Sequence, residues 1–320
     1  METNKIYHGE AKEVLSQFPD KSINTCVTSP PYWGLRDYGV EGQLGLEPTP
    51  EEYVERLVNI FAEVKRILKD DGTLWLNLGD SYAGSGKGPA GNINKDYHHL
   101  EDKIGGIVPD GLKQKDLVGI PWRVAFALQK DGWYLRNDII WHKSSAMPES
   151  VKDRCTTSHE HIFLLAKSKQ YYYDNEAIKE PAKSEPQPRE RPNGVSVEEQ
   201  GKREGEGDIT ANCGVDEKRN KRDVWKVNTK SFPEAHFAVY PPELIRPCIK
   251  AGCPEDGVVL DPFIGAGTTA LVALRENKNF VGIELNQEYI DIAYKRIGKF
   301  DKNYYQELPE DKKPKQKQLF

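Results

Sequence analysis

This sequence of 320 residues offers little for an oxidising or a membrane environment to act on. Its five cysteines, Cys26, Cys155, Cys213, Cys248 and Cys253, form no even set and no C-x-x-C pair. That excludes a disulfide framework and fits reduced thiols in a cytoplasmic protein. The opening METNKIYHGEAKEV holds no apolar signal core, and no apolar run reaches the length of a bilayer span. A basic excess is also missing: charged residues make up 30% of the chain, yet the formal net charge is −5. A generally basic nucleic-acid binder is thereby excluded, and any basic surface must be local. No internal repeat is evident. His98, His99, His159 and His161 lack cysteine or carboxylate partners at ligand spacing, so no metal site is expected.

What is present is a long chain with regular hydrophobic patterning, enough for one large domain with a sizeable insertion and a core that needs no staples. KIYHGE (5–10) reads as a strand, AKEVLSQF as a short helix and INTCVTS as a second strand. GLRDYGVEGQLGLEPTP (34–50) reads as a mobile loop. EEYVERLVNIFAEVKRILK (51–69) is the clearest helix, because Tyr53, Val54, Leu57, Val58, Phe61, Val64 and Leu68 recur at steps of three and four. Asp71-Gly72 reads as its stop, followed by a buried strand, TLWLNLGD (73–80). Residues 81–111 form a polar, glycine-rich loop that a compact domain would not keep without use. Next come a helix in DLVGIPWRVAFALQKDG, a strand in WYLRNDIIWHK (133–143) and a strand or hairpin in HEHIFLLAKSKQYYYD (159–174).

Residues 179–230 change character. They are rich in proline, glycine and charge, with nine basic and nine acidic residues between 183 and 222, and cannot build a core alone. Beyond them PPELIRPCIKAGC reads as a helix, GVVLDPFIGAGTTALVALREN as strand, glycine loop and helix, and FVGIEL as a strand. NQEYIDIAYKRIGKF reads as a helix capped by Asn286, and 301–320 as a solvated tail. Strands alternating with helices predict an α/β fold with a largely parallel sheet and helices on both faces.

Two motifs carry chemistry. TSPPYWG (28–34) follows a buried strand, so it falls at the sheet's carboxyl edge, where ligands bind in doubly wound folds. Pro30 and Pro31 fix φ and remove two backbone donors, leaving their carbonyls free to accept. Ser29 adds a hydroxyl, and Tyr32 and Trp33 add flat faces. Rigid acceptors beside an aromatic plane suit a planar ring with an exocyclic amino group. The second motif is Gly265-x-Gly267-x-x-Ala270, placed between a strand and a helix, with Glu284 ending the next strand. This satisfies a dinucleotide fingerprint, so an NAD-dependent oxidoreductase is a rival reading. Asp261 at the strand end tells against a pyrophosphate and favours a cationic ligand. S-adenosyl-L-methionine, with its ammonium and sulfonium, meets that demand.

TSPPY followed later by DPFIGAGTT resembles the amino-group DNA methyltransferases of the beta arrangement, over roughly residues 5–300. ILKDDGTLWLNLGD, LVGIPWRVAFALQKDGWYLRNDIIWHK and HFAVYPPELIRPCI belong to the resemblance. It implies a class I, Rossmann-like, S-adenosyl-L-methionine-dependent methyltransferase fold, circularly permuted so that KIYHGE comes first in the chain. The implied organisation is a catalytic half over 1–178, an inserted target-recognition region over 179–230, a cofactor half of the same domain over 231–300 and a tail over 301–320. The cofactor would be held by Thr28, His236, Asp261, Pro262, Phe263, Gly265, Gly267, Thr268 and Glu284. Glu10 stands where the family usually has an aspartate near the adenine.

The resemblance also implies chemistry. The amino group's lone pair is delocalised into its ring, and acceptance of its two hydrogens by the Pro30 carbonyl and Ser29 hydroxyl would free it, with Pro31 and Tyr32 completing the catalytic motif. The base must leave the duplex and be gripped between flat surfaces, with Tyr32, Trp33, Trp141 and His142 as candidates. Arg189, Arg191, Arg203, Arg219 and Arg222 are candidate DNA contacts, with the glycine-rich loop beside them. Double-stranded DNA, a cognate restriction endonuclease and a second copy of the chain are the implied partners. Serine before Pro-Pro-Tyr accompanies cytosine N4 in this family, with adenine N6 as the near alternative. A non-catalytic DNA-binding relative is a third reading.

Overall fold

The computed structural model of the chain describes residues 1–35, 37–84, 108–182, 218–229 and 239–300. It contains two compact units, Met1–Asp174 with Arg222–Phe320, and Asn175–Lys221. The larger unit begins with β1 (Lys5–His8), α1 (Ala11–Ser16), β2 (Ile23–Thr28), α2 (Pro50–Ile67), β3 (Leu68–Leu78), α3 (Ile120–Lys130), β4 (Tyr134–His142) and β5 (His159–Ala166). In the smaller unit β6 (Glu180–Pro181) and β7 (Lys218–Arg219) pair antiparallel. The larger unit resumes with β8 (Val224–Lys226), α4 (Pro242–Gly252), β9 (Val258–Asp261), α5 (Thr268–Arg275), β10 (Asn279–Glu284) and α6 (Gln287–Phe300).

Eight strands form one sheet in the order β1-β10-β9-β2-β3-β5-β4-β8. The first strand of the chain lies beside the last, with Ile6 opposite Gly282. This is the signature of a permuted chain. Every residue of β2 is buried, as expected of an interior parallel strand covered on both faces. Its polar members are satisfied sideways: Thr25 meets the Thr73 hydroxyl at 2.9 Å, and Asn24 Oδ1 accepts from the Val258 amide at 3.0 Å. Helix α2 buries Tyr53, Leu57, Ile60, Phe61, Val64 and Ile67, each worth about 1.5–3 kcal/mol when fully removed from water. Thr49 caps it by accepting from the Glu52 amide, and Asn286 caps α6 by accepting from the Glu288 amide.

β9 connects onward to β10 on one side, while β2 connects to β3 on the other, and β2 and β9 are parallel neighbours. The crevice beyond their carboxyl ends is therefore a topological switch point, the place where open α/β sheets bind ligands.

The sheet is largely parallel, as expected, with β5 running antiparallel to its neighbours β3 and β4; no helix crosses over between β4 and β5, so the chain returns reversed. Two expectations change. Helix α2 stops at Ile67 and β3 begins at Leu68 without an intervening turn. The β2–β3 register shifts between Ile23 and Thr25, taking up Lys69–Gly72. The loop after Trp33 is tied down. Buried Glu47 accepts from the Gly45 amide at 2.8 Å and pairs with Arg56 at 2.6 Å.

Among the described residues, no helix is long and apolar enough to cross a membrane, and no cluster of His, Cys, Asp or Glu is set to hold a metal ion.

Candidate active site

The loops after β2 and β9 open into one cavity of about 330 Å³, within the range of small-molecule sites. Ser29, Pro30, Pro31 and Tyr32 line it from one side, and Pro262, Phe263, Gly265 and Thr268 from the other. Glu10, Trp141 and Glu284 also line it. Thr28, Trp33, His142, Asp261 and Gly267 do not.

Asp261 lies beneath the cavity floor, 1% exposed. It accepts from Thr28 at 2.6 Å, Thr269 at 2.5 Å, Tyr240 at 2.9 Å and the Phe263 amide at 3.1 Å. Burial raises its pKa above the ordinary carboxylate value, and the four donors oppose the rise. With its oxygens so engaged, Asp261 acts as a pin between the two loops, reached from β2 through Thr28. Glu284 plays a similar part at the cavity wall, accepting from the Gly265 and Asn286 amides, both at 2.9 Å. Burial raises its pKa as well. Gly267 caps α5 in the left-handed region (φ 77°), where an added Cβ would lie 2.8 Å from that of Ala293. Arg296 reaches back to the Ala266 carbonyl and the Thr268 hydroxyl. Glu10 caps α1, accepting from the Glu13 amide at 2.9 Å.

On the β2 side, Tyr53 donates to the Pro31 carbonyl at 2.8 Å. Of the two proline carbonyls expected to be free, Pro30's alone has no donor among the described residues. Trp33 is buried under its loop, with Nε1 donating to the Glu47 carbonyl. Tyr32 stands against Gly79, and its hydroxyl donates to Glu160 Oε2 at 2.8 Å. Asn77 Nδ2 reaches the same oxygen at 3.2 Å and the His161 carbonyl at 3.1 Å. Lys143 pairs with Glu160 Oε1 and lies 4.4 Å from the centre of the Trp141 ring. Burial, then the Glu160 charge, pushes the Tyr32 pKa well above its usual value.

No motif in the sequence marks Asn77, Lys143, Glu160 or Tyr53. The available signal was a lone amide within the apolar run LWLNL. His236, Arg189, Arg191, Arg203, His98, His99 and most of the 81–111 loop lie outside the described residues. Arg219 pairs with Glu180 at 3.0 Å within the smaller unit. Arg222, in the larger unit, accepts through its carbonyl from Trp225 Nε1.

Among the described residues, the four charged ones lining the cavity are Glu10, Lys143, Glu160 and Glu284. Lys143 is neutralised by Glu160, so the wall around the glycine loop presents Glu10 and Glu284 to the cavity, while Arg296 supports that loop from outside the lining. It suits a ligand bearing positive charge.

The profile of the N6/N4 DNA methylase family matches residues 23–295. The type II methyltransferase M.XycI of Xanthomonas campestris pv. cyanopsidis is 50% identical over 292 residues, 91% of this chain and 87% of that protein. Among solved structures, the PvuII DNA methyltransferase (cytosine-N4-specific) has a TM-score of 0.61 at 19% identity, covering 92% of this chain and 86% of that one. A Thermus thermophilus protein described as a DNA modification methylase, complexed with S-adenosyl-L-methionine, has a TM-score of 0.56 at 23% identity, covering 92% and 93%. These structural likenesses show the fold: class I, Rossmann-like and permuted.

Proposed function

The chain belongs to the N6/N4 DNA methylase family, and from that premise we propose that it transfers a methyl group from S-adenosyl-L-methionine to N4 of a cytosine flipped out of double-stranded DNA. It would act as the modification enzyme of a type II restriction–modification pair. The observation that carries this reading is the shared cavity, in which Ser29 and Pro30 face the same space as Phe263 and Gly265.

S-adenosyl-L-methionine supplies an electrophilic methyl carbon on a sulfonium. Glu10 and Glu284 make the cofactor side anionic, which favours that cation, and Asp261 at the end of β9 is what weighs against the NAD reading. Each Glu284 oxygen holds one backbone amide and keeps a lone pair for a ribose hydroxyl. Pro262 and Phe263 give the adenine an apolar wall, and Gly265 and Thr268 bring backbone close to the donor. Asp261 acts from below, fixing the loop through Thr28 and adding negative charge under it. Gly267 completes the cofactor loop, and His236 is a further candidate contact to the methionine end.

The Pro30 carbonyl and Ser29 Oγ accept the two amino hydrogens of the base and draw N4 towards tetrahedral geometry, which frees its lone pair. Pro31, held by Tyr53, keeps the turn rigid. Positioning and charge placement in a site closed to water supply the acceleration. Tyr32 and Trp141 grip the base, a contact worth about 1–3 kcal/mol per stacked base. The inserted region supplies DNA contacts through Arg189, Arg191, Arg203, Arg219 and Arg222, with Arg219 exchanging Glu180 for a phosphate or a guanine edge. A cognate endonuclease and a second copy of the chain are the proposed protein partners.

The test is to methylate DNA with isotopically labelled donor, digest it to nucleosides and weigh them. Labelled N4-methylcytosine supports the reading. Labelled N6-methyladenine replaces it with the adenine alternative, and no label at all points to a non-catalytic DNA-binding relative.

A further inference from the structure

A hydroxyl such as that of Ser29 can donate or accept, so something must decide which it offers to the base. The surroundings of Tyr32 decide it. Both Asn77 Nδ2 hydrogens are directed at acceptors, Glu160 Oε2 and the His161 carbonyl. This orients the amide so that Oδ1 faces Tyr32 Oη, at 3.2 Å. Glu160, a carboxylate paired with Lys143, is an acceptor only. Tyr32 Oη thus meets two acceptors and has one proton to give, which goes to Glu160 at 2.8 Å. What remains on Oη is a lone pair. Ser29 Oγ, 3.3 Å away, donates its own proton into that lone pair, and its lone pairs are left for the cavity.

We propose that Glu160, acting through Tyr32, is a positioning residue that fixes Ser29 as a hydrogen-bond acceptor, so that the cavity selects a base with an exocyclic amino group over one with a carbonyl. The proposal rests on the reading of this cavity as the target-base site. With Pro30 also an acceptor, uracil O4 would face two acceptors and no donor, whereas cytosine N4 satisfies both.

Two variants remove the bias without removing the tyrosine ring. In Glu160→Gln the Tyr32 proton passes to Asn77 Oδ1, and the new amide can donate into the Tyr32 Oη lone pair in place of Ser29, so the Ser29 proton is released to the cavity. In Tyr32→Phe the lone pair that holds the Ser29 proton is gone. The methylated site is mapped by sequencing DNA modified by the wild-type protein. Binding of duplexes carrying cytosine or uracil at the target position is then measured for wild type and both variants with S-adenosylhomocysteine present. All three proteins meet the same two duplexes, so any difference in the ease of flipping cancels when their ratios are compared. Wild type should prefer cytosine by about 10- to 100-fold, the scale of base discrimination by paired hydrogen bonds, and the preference should shrink to within about threefold in the variants. A packing role alone would weaken both duplexes equally. If Tyr32→Phe keeps the wild-type ratio, the proposal is overturned, whether or not Glu160→Gln folds. Methyladenine in the nucleoside digest would overturn the cytosine reading alone. Adenine against hypoxanthine then replaces the pair, with the same two outcomes.

Discussion

Adding one methyl group at Gly79 tests the site without replacing any side chain assigned a chemical role. A Cβ built there lies 2.6 Å from Tyr32 Cε2 and 3.1 Å from Cδ2, where ordinary contact starts at 3.4 Å. The ring edge must therefore retreat by about 0.8 Å, since rings do not compress and cores are close-packed. It cannot do so while its hydroxyl holds both Glu160 at 2.8 Å and Ser29 at 3.3 Å. The retreat is into the cavity that Tyr32 lines, towards the place proposed for the base. Overpacking of this kind costs about 1–3 kcal/mol of stability, and a displacement of about 1 Å at a reacting centre can cost about 100-fold in rate. Gly79→Ala should therefore bind the methyl donor as wild type does, because the cofactor loops are untouched, and transfer methyl about 100-fold more slowly. Single-turnover transfer to a saturating duplex, with donor affinity measured alongside by calorimetry, reads both quantities. Transfer within twofold of wild type would refute the placement of Tyr32 against the base.

Other perturbations probe the cofactor side. Thr28→Val keeps the side chain's shape but removes a donor to buried Asp261, and should lower stability to urea unfolding by about 1.5–3 kcal/mol. A loss under about 0.5 kcal/mol, the low end for any single hydrogen bond, would deny that bond its role as a tie between the loops. Gly267→Ala forces a left-handed φ on an alanine and pushes its Cβ against Ala293, so donor affinity should fall together with thermal stability, at a backbone cost of about 1–2 kcal/mol. Asp261 and Glu284 both have folded pKa values raised by burial. A carboxyl raised in the folded state contributes stability below its unfolded pKa and loses it as pH rises through the folded one. Stability to urea should then decline with rising pH just above the ordinary carboxylate range, and Glu284→Gln should flatten that part of the curve. An unchanged slope would mean that the carboxyl titrates normally.

Much of the architecture was legible because the chain repeats its instructions locally. Tyr53, Leu57, Phe61 and Val64 announce α2 by spacing alone, and INTCV and VVLD announce interior strands by leaving no face for water. Both chemical loops could be found because proline and glycine mark places where the backbone leaves its ladder. What stayed hidden depends on register between distant strands. β5 reads as a strand, but its antiparallel placement beside β3 is a fact of connection. That placement brings Glu160 of β5 against Tyr32 after β2, 128 residues apart. The periodicity of HEHIFLLA could not reveal such a partner. Trp33 misleads for the opposite reason. As one of two adjacent aromatics in a motif it looks exposed to ligand, yet the loop that follows folds back through Glu47 and covers it.

The permutation has a mechanical consequence. Strand β9, which leads into the glycine loop, sits between β10 and β2, and its terminal carboxylate is held from β2 by Thr28. The glycine loop therefore takes its shape partly from the strand that carries the acceptors. A donor site built on β9 and β10 alone would leave Asp261 buried with one of its donors missing, a cost that a charged group in a low dielectric makes substantial. The loop proposed to hold the methyl donor and the loop proposed to offer the acceptors are thus one folded object, although 233 residues separate Thr28 from Asp261 in the chain. That is why a substitution at Thr28, which does not line the cavity, should reach the donor site.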